Sequence, residues 1–237
     1  MTIKKEILYP SPRFRFAGDR GLLMVFGDVI DPVVNARIRA MANRLESECL
    51  QGVEEIIPTY CALILIYEPL ETTPDVLIPI LSSLNSDLET IDLPDPDVVE
   101  LPVCYHESLG PDLAHVAEIN GLTSQEVIEI HTQPLYPIYM IGFTPGFPYL
   151  GGLPEAIHTP RLKSPRTRVA AGSVGIANNQ TGIYPIDSPG GWQLIGRCPV
   201  KLFDPERENP ILLKAGDRLK FISISLERFH EISEAGS

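Results

Sequence analysis

The amino-acid sequence predicts an α+β protein in two parts: a small N-terminal α/β domain over residues 1–93 and a strand-rich second domain over residues 98–237. Three observations carry this expectation. The first ninety residues alternate apolar runs with helical stripes, a proline-rich acidic stretch interrupts the chain at 91–97, and helical signals vanish after Pro134. The chain has 237 residues, 44% hydrophobic and 21% charged, which is the balance of a globular protein rather than a disordered or fibrous one. Its 23 prolines and 18 glycines point to many turns between short strands.

Residues 13–16 alternate in polarity and residues 22–26 are continuously apolar; with Gly18 and Gly21 between them, the pattern is that of a hairpin. Asp31 is placed to cap a helix that begins at Pro32. Val34, Ile38, Met41, Leu45 and Cys49 recur at near-helical spacing until Gly52, where that helix is expected to stop. Residues 61–67 form an unbroken apolar run, a candidate central strand. Thr73 and Pro74 open a second helix with the stripe Leu77, Leu81, Leu84 and Leu88, which Pro79 should kink or shorten. The stretch 91–97 cannot continue a helix and is the natural boundary. Beyond it come a strand at 98–105, a helix at 112–120 ended by Gly121, and a short helix to His131 opened by Thr123 and Glu126, which have capping-box spacing. From 134 to 218, short apolar runs separated by proline and glycine read as an all-β barrel or sandwich.

The net charge is −12, from 19 Lys and Arg against 31 Asp and Glu, and a field of that sign disfavours nucleic acid and anionic membrane as partners. The helix pair at 112–131 has the outline of a helix-turn-helix. Its second helix, however, carries Glu126 and Glu129 and no Lys or Arg, which a major groove would repel. Four cysteines lack any C-x-x-C spacing and five histidines lack any metal-ligand spacing, so reduced thiols and no structural metal are expected. No secretory signal is visible, which points to the cytoplasm.

Between residues 130 and 186 the only acid is Glu155, against Arg161, Lys163, Arg166 and Arg168. A cationic strip in an acidic protein can hold a small anion, because arginine forks pair carboxylate or phosphate oxygens. The competing reading is a solvated face paired with acids from elsewhere. Two glycine-rich stretches, 142–152 and 187–192, flank the strip and let backbone amides approach a ligand, while Phe143, Phe147, Tyr184 and Trp192 can wall a pocket. Ser173, Gln180 and Thr181 add hydroxyl and amide donors. No G-x-x-x-x-G-K-[ST] loop is present, and Ser173 lacks the G-x-S-x-G spacing of a hydrolase nucleophile.

GPDL at 110–113, GFTPGFPYLGGLP from Gly142, SPRTRVAAGSVGIA from Ser164, QTGIYP from Gln180 and DSPGGWQLIGRCP from Asp187 together resemble the allophanate hydrolase subunit 1 family, over essentially the whole chain. The resemblance implies that the second domain is a cyclophilin-like β-barrel. It also implies a role as the B subunit of an ATP-dependent 5-oxoprolinase, opening the cyclic amide to glutamate with the A and C subunits and inactive alone. Other members imply alternatives: inhibition of a histidine kinase, or a place in an allophanate hydrolase or urea carboxylase. In the leading reading, Arg166 and Arg168 bind the substrate carboxylate or a phosphoryl group and Ser173, Gln180 and Thr181 hydrogen-bond around it. Phe143, Phe147, Tyr184 and Trp192 form the wall. The chain departs from the family pattern at Thr144, Ala171, Asn178 and Cys198, where a bulkier apolar residue, proline, glycine and threonine are usual.

Overall fold

The computed structural model describes residues 7–90 and 95–235, and the chain divides into two compact units, Met1–Asp95 and Pro96–Ser237. The stretch expected as a boundary lies partly outside the described residues, at 91–94.

In the first unit β1 (Arg13–Phe16) and β2 (Gly21–Val25) form the expected hairpin. They are followed by α1 (Pro32–Glu48), β3 (Val53–Pro58), β4 (Ala62–Tyr67) and α2 (Pro74–Ser86). The sheet is antiparallel in the order β1-β2-β4-β3, so the apolar β4 is an inner strand. Alternation along the strands turns Leu22, Met24, Leu63 and Leu65 to one face, where they share a core with Val34, Ile38, Met41 and Leu45 of α1 and Leu77 and Leu81 of α2. Asp31 caps α1 by accepting from the Val33 N–H at 2.8 Å.

Two local expectations are corrected here. Helix α1 stops at Glu48 rather than at Gly52: Cys49 takes the left-handed conformation, φ 48°, and its N–H bonds to the Leu45 carbonyl, while Gly52 turns the chain into β3. Helix α2 runs unbroken through Pro79. The proline sits on an exposed face one turn into the helix, so only one internal hydrogen bond is forgone while Leu77 and Leu81 stay buried.

The second unit begins with β5 (Val98–Cys104), α3 (Leu113–Asn120) and α4 (Ser124–Thr132). Gly121 ends α3 with φ 67°, and both bonds of the Thr123–Glu126 capping box form. The strands β6 (Tyr136–Ile141), β7 (Pro148–Leu150), β8 (Arg166–Val169), β9 (Ser173–Ala177), β10 (Gln180–Ile183), β11 (Ser188–Gly190), β12 (Gln193–Arg197) and β13 (Arg218–Ile224) follow, and α5 (Leu226–Ala235) comes last, a helix that corrects the expectation of none after Pro134. Seven strands form a sheet in the order β10-β9-β12-β5-β13-β6-β7, and β7 lies beside β10, which nearly closes the sheet into a barrel. Strands β8 and β11 pair separately. The barrel interior holds Val103, Tyr136, Ile138, Val174, Ile176, Ile183, Ile195 and Phe221, joined by Val116 of α3 and Val127 of α4.

A second, aromatic cluster stands apart from that interior: Phe147, Val169, Ala177, Tyr184, Trp192 and Leu194, with Tyr149 against it. No helix among the described residues is long and apolar enough to cross a membrane.

Candidate functional site

The aromatic cluster walls a cavity of about 250 Å3 beside the seam between β7 and β10. Phe143, Phe147, Tyr184 and Trp192 line it together with Gln180 and the backbone of Gly190 and Gly191. The rings meet edge to face: Phe147 lies 5.8 Å from both Tyr184 and Trp192 and 5.9 Å from Phe143. Close approach explains two glycines. A Cβ at Gly182 would lie 3.2 Å from both Phe147 and Trp192, and one at Gly190 would lie 2.8 Å from the Tyr184 ring. Phe143 is 73% exposed at the rim and holds φ 66° in a tight turn closed by the Thr144 N–H to the Gly142 carbonyl.

Of the polar residues expected in one cradle, the structure brings only Gln180 to this cavity. Side chains alternate along β10, so Gln180 and Gly182 face outward while Thr181 and Ile183 face the barrel interior. Ser173 lies at the far end of the β9–β10 hairpin, past the Ile183–Val174 pair. The arginines correct the picture of a free cationic strip. Arg166 donates from Nη2 to both Asp112 oxygens, at 2.7 and 2.9 Å, and from Nη1 to the Trp192 carbonyl at 3.2 Å. Arg168, 80% exposed, pairs with Asp187 at 2.7 Å. Asp187 also accepts from the Ala171 N–H at 2.8 Å, a donor that proline would lack, and this bond with the Arg168 guanidinium holds its carboxyl below the usual range.

Three residues outside the expected cradle position the site. Arg161 lines the cavity, with its guanidinium carbon 6.0 Å from the Trp192 ring centre. Asp112 draws Arg166 against the wall and accepts from the Leu194 N–H in β12, the strand that follows Trp192. His131 is fully buried, stacked on Phe221 at 4.4 Å, and holds Thr181 from behind. Thr181 donates its hydroxyl to the Gly175 carbonyl, so it accepts from the His131 Nε2–H, and Nδ1 accepts from the Tyr105 hydroxyl at 2.8 Å. Burial pushes His131 down to about 3, so the ring is neutral. Arg161 was legible as one cation among four, but not that it has no carboxylate partner among the described residues. Among the described residues no group of His, Cys, Asp or Glu gathers as a metal site.

A barrel with an aromatic cavity, one lining cation and backbone amides can bind a small planar anion or carbonyl, but the cavity presents no carboxylate, imidazole or thiol to act as a base. This fold belongs to a defined class: the chain is a member of the carboxyltransferase domain, subdomain C and D, family, whose pattern matches residues 12–213. Within that family it is similar to the 5-oxoprolinase B subunit of Bacillus subtilis (strain 168), at 43% identity over 92% of this chain and 95% of that one. The 5-oxoprolinase B subunit of Escherichia coli O157:H7 is 53% identical over 54% of this chain, which spans about three fifths (59%) of its length. The crystal structure of TTHA0988 superposes with a TM-score of 0.79 at 39% identity, covering 87% of this chain and 40% of that one. A urea amidolyase of Lachancea kluyveri is more distant, at 27% identity, with 14% of its length covered.

Proposed function

We propose that this chain is the B subunit of an ATP-dependent 5-oxoprolinase and that the aromatic cavity takes up the lactam. The observation that carries the reading is the match to a 5-oxoprolinase B subunit along 95% of that protein's length. The chemistry suits the site. A lactam carbonyl is resonance-stabilised, and transfer of the γ-phosphoryl group of ATP to its oxygen gives water a better electrophile. Water adds to the activated carbon, the C–N bond breaks to leave an acyl phosphate, and a second water displaces phosphate to yield glutamate. Fixed donors stabilise the charge that develops on that oxygen.

In this reading the chain binds and orients the lactam, and the nucleotide falls to the other subunits. The cavity lining carries a single cation and the sequence has no glycine-rich phosphate loop, fewer donors than a triphosphate needs. The chain alone is therefore inactive, a cytoplasmic protein that works with the A and C subunits. Arg166 serves through Trp192 rather than on the ligand, Thr181 from behind the wall that Gln180 faces, and Arg168 and Ser173 from outside the cavity.

Mixing the purified chain with the A and C subunits tests this. ATP hydrolysis dependent on 5-oxoproline should need all three chains. Turnover by the other two without this chain overturns the reading, as does tight binding to a histidine kinase dimerisation domain with no turnover in any mixture.

A further inference from the structure

We propose that Arg161 reads a carboxylate in the aromatic cavity, so that the site selects a small flat amide carrying one negative charge. This rests on the reading of the cavity as the lactam site and goes beyond it by naming the group that recognises the acid. Among the cations of this face, Arg166 is held by Asp112 and Arg168 by Asp187, and Arg197 spends its Nε–H on the Ala171 carbonyl. Arg161 has no carboxylate within ion-pair distance among the described residues, and no acid lines the cavity.

Its charge nevertheless reaches the cavity walls. Burial raises the Tyr149 and Tyr184 hydroxyls, and Arg161 opposes that rise in both. Arg161 is itself exposed and its fork can pair both oxygens of a carboxylate; a carboxylate seated against the aromatic wall beside it is screened less than one in bulk solvent. One cation balances one charge; a dianion would leave the second charge against aromatic walls. The volume, about 250 Å3, suits a ring the size of a lactam, and the aromatic lining from Trp192 and Phe147 suits its flat amide.

The sequence has one tryptophan, Trp192, and it lines the cavity, so its fluorescence reports occupancy. The full chain is titrated with 5-oxoproline, with pyrrolidin-2-one, which is the same lactam without the carboxylate, and with N-acetylglycine, an open amide acid. Calorimetry runs in parallel. The wild-type chain should prefer 5-oxoproline to pyrrolidin-2-one by about tenfold or more, the range of a charge-assisted hydrogen bond. Arg161→Gln should abolish that preference while leaving pyrrolidin-2-one unchanged, and Arg161→Lys should restore part of it. Lys163→Gln, which removes the same charge from a residue outside the cavity, should leave it intact. A preference that survives Arg161→Gln, or no binding of either acid to the wild-type chain, overturns the proposal. Acid binding through Arg161 without oxoproline-dependent ATP hydrolysis in the assembled subunits would defeat the 5-oxoprolinase reading alone. Turnover with an unchanged KM in Arg161→Gln would defeat this one alone.

Discussion

Asp112 and Arg166 stand 54 residues apart in sequence, yet both oxygens of the one accept from Nη2 of the other, at 2.7 and 2.9 Å. Asp112 precedes α3 but makes no side-chain bond to that helix; its carboxylate turns instead to Arg166 and the Leu194 N–H. Both side chains are largely shielded, at 13% and 29% exposure. Removing Asp112 leaves a cation and an amide without their acceptor, so Asp112→Ala should lower unfolding stability by about 2–3 kcal/mol. Arg166→Met should cost less, because Asp112 keeps the Leu194 bond. A double-mutant cycle in urea measures the coupling, and additive effects of the two substitutions would show that the pair is not a unit.

The buried ring of His131 makes stability depend on pH. In the unfolded chain a histidine takes up a proton near pH 6.5, whereas in the native state burial delays this to about 3. Between those values the unfolded state binds more protons, so this contribution is complete above about pH 6.5 and is lost progressively as pH falls toward 3. The slope is at most about 1.4 kcal/mol per pH unit. Urea midpoints followed from about pH 7.5 to pH 4.5 should fall less steeply in His131→Gln than in the wild type. Equal slopes would mean that the ring protonates in place.

Gly190 tests whether the cavity wall is rigid. A methyl group there meets the Cζ and Cε1 atoms of Tyr184 at 2.8 and 2.9 Å, and Tyr184, 3% exposed, is packed edge to face against Phe147 and Trp192. Gly190→Ala should therefore cost about 1–3 kcal/mol and shift the Trp192 emission. An unchanged spectrum and midpoint would show that the wall yields.

The hairpin, the capping box and the stripe Leu77, Leu81 and Leu84 of α2 were legible because each is written in neighbouring residues, and the aromatic lining showed as separate clusters of aromatic residues and glycine. Phe143, Phe147, Gln180, Tyr184 and Trp192 sit in short turns and strands whose glycines mark the approach. What escaped depends on distant partners. Charge counting along the chain cannot show that Asp112 neutralises Arg166 or that Arg161 has no such partner among the described residues. Strand alternation would have placed Gln180 and Thr181 on opposite faces had the limits of β10 been fixed beforehand. His131 looked like the last residue of a helix, and only packing against Phe221 and Thr181 gives it a role. Strand β3 carries Glu54 and Glu55 across a register shift, which obscures its period.

Strand β13 lies parallel to β5 and pairs with it from Arg218↔Val98 to Ile224↔Cys104, so the sheet of the second unit joins nearly the first residues of that unit to nearly its last. Such pairing cannot form on the ribosome until almost the entire unit has emerged, and closing so long a loop is slow. Nascent β5 consequently waits with unpaired edges, and its exposure during synthesis is the stage at which aggregation competes with folding.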